Sequence, residues 1–322
     1  MSYYIVLLIG FVVSLVGVLA LMPFYINILK AHKLNQETSE YALEEYKNKS
    51  KTPIMGGLLF VLIPLVAFVC CNNFFFKDSK ALMVIVSFIL FCAVGFLDDM
   101  FIVVRKDNNG LTPSSKLVME FVFTIIIFFV FRSIIDTSLH IPFINISINL
   151  SWFYLLFMIV MYLSEANAVN FTDGMDGLCA GVSFIGLIAF VILAYLKKEY
   201  NIVLLIICIM GGLLGYLYYN RFPAKIFMGD SGSIALGGLF SALAVVLNLE
   251  IALIFIGGIF VWEMLCVVIQ QLSVRIFHKR VFSYTPIHYA FVIKGKKETK
   301  VVLMFYIIAF IFMFVGLFVG LH

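Results

Sequence analysis

Apolar runs close to 20 residues long recur along the whole sequence and leave little choice of fold. The chain has 322 residues, of which 63% are hydrophobic and only 12% are charged. About 20 consecutive apolar residues cross a hydrocarbon core as an α-helix, and a helix satisfies its backbone polar groups without water. The sequence therefore predicts an all-α integral membrane protein and not a large soluble domain.

Ten of these runs are predicted to be transmembrane helices. No internal repeat or flexible linker separates them, so residues 1–322 are expected to form one domain. An even number of spans puts both termini on the same side of the membrane. The predicted spans are 3–29, 54–72, 81–97, 116–134, 152–169, 177–196, 201–219, 232–248, 251–274 and 301–320.

The distribution of lysine and arginine predicts the orientation. Loops 30–53, 98–116, 170–176, 220–231 and 275–300 hold 17 of these residues, and the alternate loops hold 5. Because cytoplasmic loops carry the excess of basic residues, the first set is expected to be cytoplasmic and both termini outside. The bias also places basic groups where an anionic substrate or lipid headgroup could bind the protein. We expect a lipid bilayer as a partner, and no nucleic acid.

One outward segment has a different period. From Ile144 to Leu150, apolar and polar residues alternate strictly. This is the pattern of a half-buried β-strand and not of a helix. We therefore predict a small external β-hairpin at about 139–150.

A pair of adjacent carboxylates, Asp98 and Asp99, closes the third predicted span. Two neighbouring carboxylates near apolar surroundings need a cation, or else one pKa rises and that group becomes a usable base. Taken alone, the pair is equally well interpreted as the solvated end of a membrane helix.

A second polar cluster occupies residues 167–178. Asn167, Asn170 and Asp173 are spaced three apart, which puts them on one helical face, and Asp176 follows between two glycines. Carboxylates and carboxamides on such a loop can hold Mg²⁺, water and the polar edges of a nucleotide. The alternative is a glycine-rich turn between helices, capped by Asn and Asp.

A third polar cluster lies at 220–233, where Asp230 stands between Gly229 and Gly232 ahead of a new helix. The glycines allow backbone amides to approach a ligand, and the N-terminus of a helix favours phosphate oxygens. Asp230 is therefore a candidate Mg²⁺ ligand. The string Asp-Ser-Gly-Ser is also an ordinary helix cap.

The last cytoplasmic loop, 275–300, contains seven basic residues and His288. His288 could bind phosphate or shuttle a proton, or it could be an ordinary interfacial residue. Glu263 and Gln270 lie seven residues apart in a predicted span and can face the same interior. A structural hydrogen bond between helices explains either of them as well as a substrate contact does.

Together, these motifs make the chain resemble the polyprenyl-phosphate N-acetylhexosamine-1-phosphate transferases. The match runs from Thr52-Pro53-Ile54-Met55-Gly56-Gly57 to Phe305 and covers most of the chain. The Thr-Pro-x-Met-Gly-Gly and Pro-Ile-His elements favour the branch that uses UDP-MurNAc-pentapeptide over relatives that use UDP-GlcNAc. Its other shared segments are Gly95–Asp99, Gly110–Thr112, Asn167–Leu178 and Phe227–Ser233.

The resemblance implies a ten-helix fold with a cytoplasmic active-site cleft, Mg²⁺ dependence and a homodimer in the bacterial cytoplasmic membrane. It also implies the transfer of phospho-MurNAc-pentapeptide from its UDP donor to undecaprenyl phosphate, with lipid I and UMP as products.

Carried over residue by residue, the resemblance assigns expected roles. Asp230 matches the Mg²⁺ aspartate, and Asp98 and Asp99 match the acidic pair proposed to activate the lipid phosphate. His288 matches the first histidine of the final motif. The expected substrate-binding residues are Asn170, Asp173, Asp176, Phe227, Gly229, Ser233, Gln270, Asn220, Thr52, Lys106 and Lys116.

Two departures from the family pattern are present. The family often has three consecutive histidines where this chain has His288-Tyr289-Ala290, and a lysine where this chain has Ile102. Lys106 or Lys116 could supply the missing positive charge.

Two other functions compete with this interpretation. A transferase of GlcNAc-1-phosphate would use the same chemistry on UDP-GlcNAc, as in teichoic acid or O-antigen initiation. A divalent-cation transporter would place its carboxylates near the bilayer midplane, whereas these aspartates cluster at the predicted cytoplasmic ends of the spans.

Overall fold

The computed structural model describes residues 2–32, 34, 52–72, 77–105, 110–144 and 146–322. Lys106, one of the predicted substrate-binding residues, lies outside these ranges. Twelve helices and one pair of strands make up the described part of the chain. The helices are α1 Tyr3–Ala31, α2 Gly57–Cys71, α3 Ser79–Arg105, α4 Pro113–Val130, α5 Phe153–Thr172, α6 Leu178–Leu196, α7 Tyr200–Asn220, α8 Asp230–Leu247, α9 Glu250–Ile256, α10 Gly258–Phe277, α11 Ile287–Ile293 and α12 Glu298–Leu321.

Nine helices of the described part are long and apolar enough to cross a membrane. The helix predicted at 54–72 is apolar but only 15 residues long as α2, so the count of ten spans stays a prediction. The single span predicted at 251–274 is wrong in one respect, because the structure divides it into α9 and α10. Gly257 interrupts the regular helix between them, with φ −85° and ψ 20°.

The predicted hairpin is present. Strands β1 (Ser138–Ile141) and β2 (Ile146–Asn149) pair antiparallel, with Leu139 opposite Ile148. The expectation that β2 is half-buried is wrong, since all four of its residues are exposed. In the described residues β2 pairs with β1 alone, so its alternation sets the strand period without burying a face.

Helix α8 is the centre of the structure, and all of its residues after Asp230 are buried. Glycines let its neighbours approach at backbone distance. A Cβ on Gly237 would collide with the backbone of Ala166 in α5, and a Cβ on Gly95 in α3 would collide with the carbonyl oxygen of Asp230. This close packing fixes the N-terminus of α8 against α3.

The contact at Gly95 gives a test of this packing. Gly95→Ala is expected to push α3 away from α8 and to lower the free energy of unfolding by at least about 1–3 kcal/mol, since overpacking at a backbone contact cannot relax by a side-chain movement. The measurement is thermal unfolding of the detergent-solubilised protein. Ile89→Ala, at an exposed position of the same helix, is the matched control and should unfold near the wild-type temperature. An unchanged unfolding temperature for Gly95→Ala would contradict the packing.

Candidate active site

Asp99 anchors the N-terminus of α8. Its two carboxylate oxygens accept hydrogen bonds from the backbone N–H groups of Asp230 and Ser231, each at 3.0 Å. Gly229 precedes the helix with φ 72°, and a Cβ there would lie 2.5 Å from the Asp99 carboxylate. A buried carboxylate is stabilised by the free amides and the positive end of a helix. Asp99 therefore fixes where α8 begins, and α8 begins at Asp230.

A second brace comes from the Thr52–Gly57 segment. The Phe227 N–H donates to the carbonyl of Pro53 at 2.8 Å, and the Gly56 N–H donates to the carbonyl of Phe227 at 2.8 Å. Phe227, one of the expected substrate-binding residues, thus takes part in this contact through its backbone. Thr52 lines a cavity of about 580 Å³ together with Lys30 and Lys225.

Four polar side chains meet around Asp230. Asp230 accepts a hydrogen bond from the Asn170 amide at 2.7 Å and forms an ion pair with the Lys116 ammonium at 2.5 Å. Lys116 also lies 3.3 Å from Asp98, which accepts a hydrogen bond from the Leu111 N–H at 2.8 Å. Lys116 thus bridges two carboxylates that would otherwise repel each other.

Ser233 lies one turn further into α8. Its hydroxyl accepts a hydrogen bond from Asn170 at 2.9 Å and donates to the carbonyl of Gly229 at 3.1 Å. The sequence-predicted residues Asp98, Lys116, Asn170, Asp230 and Ser233 therefore form one connected cluster. Side chains from α3, α4, α5 and α8 build it.

The loop 173–177 passes beside this cluster and is tied by surrounding side chains. Glu298 accepts from the Asp176 N–H at 2.8 Å, and Asn220 accepts from the Gly177 N–H at 3.0 Å. Tyr306 donates to the carbonyl of Gly177 at 2.7 Å. The Asp176 and Asn220 side chains, predicted to bind substrate, are thus used to shape the loop; Asp176 also accepts from the Ala224 N–H at 2.9 Å.

Asp173 differs from its neighbours in this loop. Among the described residues its carboxylate has no hydrogen-bond partner, although it is half-buried. Burial raises its pKa well above the ordinary value, and the nearby carboxylates of Asp230, Asp99 and Asp176 raise it further. A carboxylate that lies near other carboxylates and has no hydrogen-bond partner among the described residues is suited to a cation.

His288 and Gln270 are both buried and are hydrogen-bonded within the protein. His288 is fully buried, and its Nδ1 lies 2.9 Å from the carboxylate of Glu263. Its Nε2 has no hydrogen-bond partner in the described part of the chain. Gln270 accepts from the N–H groups of Val281 and Phe282 through its carbonyl oxygen.

Sequence reasoning missed three side chains that hold the 173–177 loop, namely Glu298, Tyr289 and Tyr306. Tyr306 lies within a predicted apolar span, and Glu298 stands among the lysines of the last basic loop, where nothing in the sequence singles out its contact. Tyr289 was noted only as a departure from a histidine pattern. Their partners are backbone groups more than 100 residues away along the chain, which no local pattern reveals.

The donor chemistry of this cluster suits Mg²⁺. Within the described ranges, no group of three or more His, Cys, Asp or Glu side chains is arranged to hold a metal ion. Mg²⁺, however, is usually bound by one or two carboxylates together with substrate phosphates and water. Asp230, whose side chain is 21% exposed, matches that requirement, as does Asp173, which has no hydrogen-bond partner within the described ranges.

Comparison of the sequence with known proteins assigns the chain to a protein family. The model of the family described as Glycosyl transferase family 4 matches residues 81–248, and the chain belongs to this family. It is 39% identical over 314 residues to the phospho-N-acetylmuramoyl-pentapeptide-transferase of Staphylococcus aureus (strain bovine RF122 / ET3-1), which covers 96% of this chain and 98% of the relative. It is 38% identical, with the same coverage, to the enzyme of the same name from Staphylococcus saprophyticus subsp. saprophyticus.

Because burial and nearby carboxylates disfavour the ionised form of Asp173, we expect its replacement by Asn to raise the free energy of unfolding at neutral pH. A carboxyl whose pKa is higher in the folded than in the unfolded protein destabilises the fold when it is ionised. That cost is present at neutral pH and disappears as the pH falls below the ordinary aspartate pKa of about 3.9. Asp173→Asn, measured in EDTA, should therefore unfold at a higher temperature than wild type at neutral pH, with the difference shrinking in acid.

Asp136→Asn is the control with the opposite sign. A hydrogen bond from the Ser138 N–H, 2.9 Å long, lowers the pKa of Asp136. Its ionised form stabilises the fold, so this variant should unfold at a lower temperature at neutral pH and approach wild type in acid. A destabilised Asp173→Asn variant at neutral pH would contradict the assignment of a free, repelled carboxylate.

Proposed function

We propose that this protein transfers phospho-MurNAc-pentapeptide from UDP-MurNAc-pentapeptide to undecaprenyl phosphate, giving lipid I and UMP. The names of the relatives at 38% and 39% identity support this reaction. The observation that carries it in the structure is the bridge of Lys116 between Asp98 and Asp230. Transfer between two phosphates needs charge neutralisation and positioning more than covalent help.

In the proposed reaction, an oxygen of the acceptor lipid phosphate attacks the sugar-bound phosphorus of the donor. The bond from that phosphorus to the bridging oxygen breaks, and the bridging oxygen leaves on UMP. The acceptor phosphate is already a nucleophile, so we favour direct attack over a phospho-aspartyl intermediate. Asp98 accepts the proton of the acceptor phosphate or orients it, and the Lys116 ammonium neutralises phosphate charge.

Asp230 and Asp173 would hold Mg²⁺ in this proposal. When bound, the ion supplies positive charge to the phosphates of the donor. Asn170 keeps Asp230 oriented through its amide, and Asp99 keeps the backbone of Asp230 in place.

The proposed location is the bacterial cytoplasmic membrane, with the active site facing the cytoplasm. The bias of basic residues toward the loops on the side of the aspartates supports this orientation. The homodimer and the outward termini stay predictions of the family resemblance.

The function is tested by product formation with purified protein in detergent or lipid. The assay contains undecaprenyl phosphate and either UDP-MurNAc-pentapeptide or UDP-GlcNAc, with Mg²⁺ or EDTA. Release of UMP and a sugar-pyrophosphoryl lipid from the pentapeptide donor, abolished by EDTA, is the expected result. Product from UDP-GlcNAc alone would move the protein to the sister branch, and no product from either donor would overturn the proposal.

Asp230 gives a sharper test within the same assay. Asp230→Asn keeps the shape of the side chain but removes its charge, so turnover should fall by at least about a hundredfold, as when a main electrostatic contributor is lost. The matched control is Asp136→Asn, because Asp136 is an exposed aspartate beside β1. This variant should form product at the wild-type rate. Near-wild-type turnover of a folded Asp230→Asn protein would remove Asp230 from the metal role.

A further inference from the structure

The α11 segment is fixed to the protein core by Glu263. This fully buried carboxylate accepts the Ile287 N–H at 2.7 Å, the His288 N–H at 3.2 Å and the His288 ring nitrogen Nδ1 at 2.9 Å. Breaking a buried carboxylate away from its donors is costly, so the start of α11 is held rigidly. Tyr289 is the next residue, so its backbone is held in place by the same contacts.

From this anchor, α11 meets the aspartate-bearing loop at Gly174. The Tyr289 hydroxyl donates a hydrogen bond to the carbonyl of Gly174 at 2.8 Å. The ring of His288 lies so close that a Cβ on Gly174 would collide with its Nε2. The loop at Gly174 is thus held by one directional bond and by close packing.

The tyrosine is well suited to donate this bond. Burial raises the pKa of Tyr289, and the nearby Tyr284 hydroxyl and Asp173 carboxylate raise it further, so its hydroxyl stays protonated at physiological pH. Its ring packs edge-on against Tyr284, with the centroids 5.7 Å apart. The ring is therefore held in place independently of the hydrogen bond.

The other ties of the loop act at its far end, on Asp176 and Gly177. Asp173, by contrast, adjoins Gly174, and its own carboxylate has no hydrogen-bond partner among the described residues. The position of that carboxylate is therefore set by the backbone, and among the described residues the Gly174 carbonyl is the nearest backbone group of this loop that a side chain holds.

We infer that Tyr289 is a positioning residue, whose hydroxyl holds the Gly174 carbonyl and thereby fixes the backbone from which the adjacent Asp173 carboxylate extends. The ring of His288, fixed by Glu263, supports the same part of the loop by packing against Gly174. This inference deepens the proposed function and rests on it where it concerns turnover.

The test compares Tyr289→Phe with wild type by amide hydrogen exchange and by turnover. Phe keeps the ring packing and removes only the hydroxyl. Loss of one buried hydrogen bond corresponds to about a five- to tenfold increase in the equilibrium constant for local opening. Exchange of the Gly174 and Met175 amides should therefore accelerate by that factor. The Mg²⁺ concentration for half-maximal turnover should rise by a similar factor.

Two other Tyr→Phe variants serve as comparisons. Tyr306→Phe removes the bond to Gly177 at the far end of the loop, so its faster exchange should be confined to that end and its Mg²⁺ requirement should stay near wild type. Tyr284→Phe removes a hydroxyl outside the loop and should leave the exchange of 173–177 unchanged. Binding of Mn²⁺, followed by electron paramagnetic resonance, should weaken in Tyr289→Phe and not in Tyr284→Phe.

The outcomes separate this inference from the proposed function. Unchanged exchange at Gly174 and unchanged Mn²⁺ binding in Tyr289→Phe would overturn the inference, even if the wild-type enzyme makes lipid I. Equal changes in Tyr289→Phe and Tyr306→Phe would also overturn it, since they would indicate loop stability alone. Absence of product from the wild-type protein would overturn the proposed function, while the exchange result would still decide the role of Tyr289.

Discussion

The carboxylate of Asp99 lies in the protein interior against the first two amides of α8, and the rest of the site is built from that contact. A buried charge without donors would cost several kcal/mol, and a helix start without acceptors would leave its amides unsatisfied. The two amides of α8 supply the hydrogen-bond donors that the Asp99 carboxylate needs, and the carboxylate supplies the acceptors that the amides need. Gly95 and Gly229 allow this contact, since a side chain at either position would separate α3 from α8.

This contact divides the work of two adjacent aspartates. Neighbouring residues on a helix point about 100° apart. Asp99 therefore faces α8, while Asp98 faces Lys116 and the segment that carries Leu111. One carboxylate fixes where the functional groups are held, and the other remains beside the cation that neutralises the site. The same division recurs in the 173–177 loop, where the Asp176 carboxylate holds the loop and the Asp173 carboxylate has no hydrogen-bond partner in the part of the chain that the structure describes.

The sequence predicts which residues gather, and it does so because polar residues at membrane depth are few and lie at the same ends of their spans. Asp98, Lys116, Asn170, Asp230 and Ser233 do form one cluster. The strands of the hairpin follow from their period of two. The roles within the cluster were beyond the sequence, because they depend on which neighbour each side chain meets after folding.

Gln270 and β2 illustrate that limit. The acceptor of Gln270 is taken by two backbone amides of the following loop, and only the path of that loop determines this. Burial of β2 depends on a covering layer, which its alternating pattern cannot supply. The separation of α9 from α10 falls at the Gly257-Gly258 pair, a local break signal that the prediction of one continuous span passed over.

The division of labour between Asp98 and Asp99 is tested most directly by comparing Asp98→Asn with Asp99→Asn, each measured for thermal unfolding and for turnover under identical conditions. Asp99→Asn loses charge-assisted bonds to two backbone amides and should lose about 1.5–3 kcal/mol of folding free energy, with a lower unfolding temperature. Asp98→Asn keeps an acceptor for the Leu111 N–H and leaves Lys116 paired with Asp230, so it should be destabilised less than Asp99→Asn and lose at least about a hundredfold in turnover. A destabilised Asp98→Asn together with a stable, inactive Asp99→Asn would contradict this account.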